Sequence, residues 1–259
     1  MPNLQQLLFL REKYGESNNL MKSLNEGLIK KAFNITNITE AFRFFDYDFA
    51  ENISDYFNKR EKLNIVLLYI DIVNFSKLFI QNDTNNLSRF LDKYYDKIIP
   101  IIYNYGGEIE KLMGDGIIAV FGKPFLNDEM GILINKAHLC AKLIIEKNYN
   151  TLFNVKIALH NGQIMYYKNN SDQYYDYTII GRTITELYRL ESVSYKNSIN
   201  YYTENLYQSF IQSNFIFRNR LSLKLSKQFI PNWILGNERS ADLKGVVNNV
   251  ISYIKYKPV

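Results

Sequence analysis

Two residue types are scarce in this chain. Cys140 is the only cysteine among 259 residues, and histidine occurs twice. A single thiol excludes an internal disulfide framework and suits a reducing compartment. Cys140 lies in an apolar helical stretch, which marks it for packing rather than reactivity. With so few histidines a His-based metal centre is not expected, and His160 reads as a core or strand-end side chain. No apolar run reaches the roughly 18 residues that suggest a membrane-spanning helix, so no membrane insertion is expected. The opening stretch, MPNLQQLLFLREKYG, has a short apolar block without a basic leader and is not read as a secretory signal. A cytoplasmic location is therefore expected, and the sequons at Asn34 and Asn37 stay silent. Internal repeats and low-complexity linkers are also missing.

Aromatic and apolar residues are plentiful. The chain is 47% hydrophobic, with 21 tyrosines and 17 phenylalanines, enough to build a large core without disulfides or cofactors. Its net charge of +5 is diffuse. That suits a small anionic ligand and makes no case for nucleic acid.

The organising stretch runs from Gly106 to Gly122, GGEIEKLMGDGIIAVFG. It reads as strands Glu108–Met113 and Ile117–Phe121 joined by a primed turn at Gly114-Asp115-Gly116. Upstream, Asn64–Val73 is a near-continuous apolar run, the pattern of a strand buried on both faces, and Asp71 interrupts it near its end. A helix follows through Leu87, Phe90, Leu91, Tyr94, Ile98 and Ile102, with Pro100 expected to kink or shorten it. Asp128–Lys147 reads as a second helix. Asn154–His160 is a strand, with a turn at Asn161-Gly162 and a further strand to Tyr167. Tyr174–Ile180 is β-rich, and Gly181 opens a helix carrying Thr185 and Arg189. The tail holds a β-like run at Asn214–Phe217, a loop at Pro231-Asn232-Trp233 and a last strand at Val246–Ile254. Residues 1–61 form an amphipathic helical extension, read as packing on the main domain or a partner copy, or as a docking arm. The order β, α, hairpin, α, β is that of an α+β, ferredoxin-like βαββαβ core with additions, spanning residues 62–259.

Asp115 alone is a turn residue, and Asp71 alone a strand-end aspartate. Together, on strands that would be neighbours, two hard oxygen ligands suit Mg²⁺ or Mn²⁺ shared with substrate phosphates. The turn Ile72-Val73-Asn74-Phe75 leads into a short helix at Ser76–Ile80, whose backbone N–H groups suit an anion. Alternation puts Tyr69 on the face of Asp71, and Lys111 on that of Asp115 if the hairpin is regular. Thr185 and Arg189, four apart, share a helical face. Taken singly, Arg189 and Lys111 read as solvated surface charges.

LLYIDIVNFS, GGEIEKLMGDGIIAVFG, IALHNGQI and YTIIGRTITELYRLES, in this order and spacing, resemble a class III nucleotidyl cyclase domain over about Lys62 to Tyr256. The resemblance implies that Asp71 and Asp115, with the Ile72 carbonyl, hold two divalent cations, Mn²⁺ or Mg²⁺. It implies base reading by Lys111 and Thr178, triphosphate binding by Lys244, and transition-state stabilisation by Arg189. Tyr69 and Phe75 fall among the substrate-binding positions. It also implies a head-to-tail homodimer with composite sites, one copy giving the aspartates and the other Lys111, Thr178 and Arg189. Thr185 stands where the family has an asparagine that orients the ribose, and Tyr69 where it has a phenylalanine. The compact form with a helical arm resembles the pyrimidine cyclases of bacterial antiphage (Pycsar) systems, which act through a cyclic-nucleotide-responsive effector. The expectation is a cyclase of UTP first and CTP second. The alternatives are an adenylate cyclase or a degenerate cyclase-like binding module.

Overall fold

The central strand β1 (Lys62–Ile72) is buried on both faces because its apolar residues are nearly continuous. The structure, a computed structural model, describes Leu10, Tyr14 and residues 55–78, 84–169, 177–203, 205–212, 232–246 and 250–258. Leu10 and Tyr14 are helical. The other helices expected before residue 55, and the run expected at 214–217, lie outside the described residues.

After β1 come a single helical turn, α1 (Phe75–Leu78), and the long α2 (Thr84–Asn104). β2 (Glu108–Met113) and β3 (Gly116–Phe121) form the hairpin, and α3 (Met130–Asn148) follows. β4 (Val155–Lys168), β5 (Tyr177–Ile180), α4 (Arg182–Ser192) and β6 (Ser198–Tyr202) come next. The chain closes with β7 (Trp233–Leu235), β8 (Arg239–Ser240) and β9 (Val250–Tyr256). The sheet order is β2-β3-β1-β4-β6-β9-β7, with β5 on β4 and β8 on β9. The antiparallel set β2-β3-β1-β4, crossed by α2 and α3, is the expected ferredoxin-like core. β6 extends it in parallel to β4.

The sheet separates two apolar layers. Val66, Leu68, Ile70 and Ile72 face α2 and α3, where Ile98, Ile102, Ala137 and Ile144 are buried. Ile65 and Leu67 face the other way, towards Leu187 and Leu190 of α4. Phe57, in the helical turn at 55–58 ahead of β1, is buried on this second side with its ring 5.1 Å from that of Tyr166.

Several boundaries differ from the sequence pattern. Asn161-Gly162 does not turn. β4 runs straight through because β1 pairs with it from Lys62↔Met165 to Ile72↔Val155. The glycine is there for close approach: a Cβ on Gly162 would lie 2.6 Å from Thr183 Oγ1 of α4. Pro100 does not end α2, which closes four residues later at Asn104. The stop is Gly106 at φ 78, whose neighbour Gly107 donates its N–H to the Ile102 carbonyl at 2.9 Å. Trp233 belongs to a strand rather than a loop. The last strand starts at Val250 and not at Val246.

Gly162→Ala should lower the urea midpoint by the equivalent of about 1–3 kcal/mol through overpacking against α4. Thr183→Ala in the same chain should recover much of that loss, and equilibrium urea unfolding of the three variants checks the coupling.

Candidate active site

Asp71 leaves β1 on the face of Tyr69, the side on which α4 packs, since Ile70 and Ile72 are committed to the α2–α3 layer. Asp115 sits in the two-residue turn between Met113 and its register partner Gly116. The positive φ of that turn falls on Gly114, at 63°, the arrangement of a Gly-first primed turn. Since β3 pairs with β1 up to Ile117↔Ile70, the turn lies beside Asp71. The two carboxyls come within hydrogen-bonding reach of each other.

That proximity is electrostatically costly. Burial pushes the Asp71 carboxyl up to about 6, and the charge of Asp115 pushes the same way. Asp115 is raised too, again first by burial. One cation is already present. Lys156, the register partner of Asp71 on β4, places Nζ 3.3 Å from Asp71 Oδ2 and 2.6 Å from Glu191 Oε1. Burial works against the Lys156 charge, but Glu191 and Asp71 outweigh it and hold the ammonium above its ordinary pKa. Glu191 lies in the last turn of α4, and burial raises its carboxyl.

A hard divalent cation fits this donor set. Two carboxylates with raised affinity for positive charge stand together, and an ammonium already occupies part of their field. Asp71 and Asp115 would hold it, and Ile72 could add only its backbone carbonyl, since its side chain is buried on the opposite face. Among the described residues no group of three or more His, Cys, Asp or Glu is arranged to hold a metal, so water and substrate phosphates would complete the shell.

The base-reading candidates depend on an irregularity. Ile109 pairs with Ala119 and Lys111 with Ile118, so Glu110 is an extra residue, a β-bulge. Counted back from the turn, Lys111 alternates with Leu112 onto the face of Ile118, Tyr69 and Met113. The bulge lets Ile109 stay in the α2–α3 layer beyond it. Glu110 itself is buried, and its Oε1 receives the Thr178 hydroxyl at 3.3 Å and the Ile179 N–H at 3.4 Å. Thr178 on β5 is thereby brought to the residue beside Lys111.

An aromatic wall stands between these groups and the carboxylates. The rings of Tyr69 and Tyr188 meet edge to face at 5.6 Å, and the Tyr188 hydroxyl donates to Met113 Sδ at 3.7 Å. Gly116 makes room for it, since a Cβ there would lie 2.9 Å from the Tyr69 ring. Burial, then the charges of Glu191 and Asp71, raise the Tyr69 phenol, which stays neutral.

Thr185 and Arg189 are exposed on α4, one turn apart. The Thr185 hydroxyl donates to the Gly181 carbonyl at 3.4 Å. Lys244 is exposed in the turn before Gly245. Phe75 opens α1, half-buried, with its ring 6.1 Å from that of Phe90 and packed on the α2 layer. A cavity of about 590 Å³ lies elsewhere, lined by His160, Glu186, Tyr202 and Asn205.

Lys156, Glu191, Glu110 and Tyr188 were not singled out from the sequence. A lysine second in the apolar strand VKIALH carried a signal, as did the acid before Lys111, but neither gains meaning without its cross-strand partner.

The family model for the adenylate and guanylate cyclase catalytic domain matches residues 57–236. Among curated relatives, the uncharacterized Mycobacterium tuberculosis protein Rv1318c is 23% identical over 132 residues, covering 50% of this chain and 24% of that protein. Rv1319c of the same organism is 24% identical over 132 residues, with the same coverage. The aligned part therefore spans about a quarter of the length of these relatives. Among solved structures, the adenylyl cyclase CyaB from P. aeruginosa superposes with a TM-score of 0.55 at 20% identity, over 76% of this chain and 96% of that one. The guanylate cyclase domain of RhGC from Catenaria anguillulae, in complex with GTP, gives 0.54 at 18%, over 76% and 100%. At such identities the likeness is one of fold.

In metal-free protein, Asp115→Asn should melt higher than the wild type, because it removes the like charge facing Asp71. A carboxyl with a raised folded pKa contributes stability below its unfolded value of 3.8 and loses it as pH rises through about 6. The advantage of the variant should therefore be small near pH 4 and grow through about pH 6, as thermal melts in EDTA would record.

Proposed function

The chain belongs to the adenylate and guanylate cyclase catalytic-domain family, and on that premise we propose that it is a pyrimidine nucleotide cyclase working as a homodimer with composite sites. Its substrate is UTP or CTP, and its products are the 3′,5′-cyclic nucleotide and pyrophosphate. The observation that carries the cyclase reading is the pairing of Asp71 with Asp115 at the ends of adjacent strands. The pyrimidine reading is supported by the Tyr69–Tyr188 wall, which narrows the space beside Lys111 and Met113.

Divalent cations held by Asp71, Asp115 and the Ile72 carbonyl would supply charge neutralisation along the triphosphate and activation of the ribose 3′-hydroxyl. The chain's own residues do the rest. Lys111 donates to the base from one protomer, and Thr178 meets the base beside it. Arg189 of that protomer faces the α-phosphoryl oxygens. A bond forms from the 3′-oxygen to the α-phosphorus as the bond to pyrophosphate breaks, and the guanidinium offsets the charge that builds there. Lys244 meets the outgoing pyrophosphate. Thr185, whose hydroxyl hydrogen is turned to Gly181, can only accept from the ribose. In a cell such an enzyme would be the second-messenger synthase of an antiphage system, signalling through an effector that binds the product. A second reading, an adenylate cyclase, is favoured by the likeness to the adenylyl cyclase CyaB.

Product analysis with each of the four triphosphates and Mn²⁺ decides between them. Cyclic UMP or cyclic CMP is expected, and dominant cyclic AMP overturns the pyrimidine reading. Arg189→Ala should lower kcat on the order of 10²–10³-fold. Asp71→Asn should be inactive, and mixing these two variants should restore turnover through heterodimers carrying one intact site. Mixtures as inactive as their parts would remove the composite site.

A further inference from the structure

Thr178 has one hydroxyl hydrogen, and the structure spends it inward. Its near partners are Glu110 Oε1 at 3.3 Å and the Ile179 carbonyl at 3.4 Å, both acceptors. Glu110 Oε1 also receives the Ile179 N–H at 3.4 Å, which favours keeping this oxygen bare and leaves the acid proton, when present, to Oε2. Glu110 is 4% exposed and held in a bulge, so it cannot swing away to water. Thr178 therefore offers a ligand only its lone pairs. Lys111 offers only hydrogens. The pair has one donor end and one acceptor end, and the acceptor end is backed by a carboxyl.

We propose that Glu110 sets the polarity of Thr178, and that the Lys111–Thr178 pair consequently selects a base edge bearing an exocyclic amine, cytosine over uracil. This rests on the reading of Lys111 and Thr178 as the base-contacting pair, and it deepens that reading by choosing CTP. Cytosine presents a ring-nitrogen acceptor at N3 to the ammonium and N4 hydrogens to the acceptor end. Uracil presents the same two positions with reversed polarity, an N3–H and an O4 carbonyl. Its O4 would then face an acceptor already backed by Glu110, and its N3–H would face an ammonium. Uracil satisfies the pair only by shifting one ring atom, with O4 on Lys111 and N3–H on Thr178, against the wall formed by Tyr69 and Tyr188. Adenine and guanine stand in the same relation as cytosine and uracil. Glu110 is thus a positioning residue, acting on the base through Thr178.

The test uses the intact homodimer with Mn²⁺ and measures kcat and KM for all four triphosphates. Wild type should prefer CTP to UTP by about 10–100-fold in kcat/KM, the scale of one mispaired polar group in a closed site. Glu110→Ala should cut that ratio by about tenfold, mainly through KM for CTP. Glu110→Gln should restore it, because its amide oxygen can take both hydrogen bonds while Ile179 fixes its orientation. Thr178→Val should lose the preference with Glu110 in place, which covers the case in which Glu110→Ala fails to fold. A wild type that prefers UTP, or a ratio unmoved in both Glu110→Ala and Thr178→Val, overturns the inference. If ATP proves the dominant substrate, the pyrimidine reading falls. The role of Glu110 is then decided by the ATP-to-GTP ratio, which should drop in Glu110→Ala and return in Glu110→Gln if the inference stands.

Discussion

Two carboxylates, Asp71 and Asp115, are held together against their own repulsion, and much of this fold can be understood as what holds them. Neither would choose the other's company in a flexible chain. β1 is locked along its length to β4 and for five register pairs to β3, so the end of β1 and the tip of the hairpin have no freedom to separate. The apolar residues on both faces of β1 provide that rigidity. Burying them yields about 25 cal/mol per Å² of apolar surface, a gain that the repulsion of a half-buried acid pair only partly offsets. Lys156 takes up some of the negative charge from the neighbouring strand and links it to Glu191 on α4.

The same sheet decides what stands opposite the acids, and small irregularities matter more than the regular pairing. One extra residue in β2 lets Ile109 pack in the α2–α3 layer while Lys111 stays on the side of Met113, and it buries Glu110 against Thr178. Two missing side chains have equal weight. Gly116 lets the Tyr69 ring approach the hairpin closely, and Gly162 lets α4 settle against β4. α4 in turn carries Tyr188 inward against Tyr69 and leaves Arg189 exposed.

The composite site proposed for two copies rests on exposure. Arg189 and Thr185 are exposed on α4, and Tyr69 and Tyr188 meet edge to face beside Asp71. A group that neutralises a transition state should not be held by the very acids that bind the cations, since an ion pair would consume it. Lys156 shows the point, being tied to Asp71 and Glu191 at once.

From the sequence alone, the apolar run of β1, the glycine-bounded hairpin and the motif order determined the ferredoxin-like core, the acid pair and the cyclase family. Each of these depends on local pattern or on motifs in register. Only the tertiary structure decided that Asn161-Gly162 runs on as strand, because the continuous partner β1 outweighs a local turn signal. It alone showed that Phe75 packs on the α2 layer and that Lys156 and Glu191 attend Asp71. It alone turned Glu110 from the neighbour of a lysine into the acceptor that orients Thr178. These are contacts between residues far apart in the chain, created by strand register and a bulge, and no periodicity along the sequence records them.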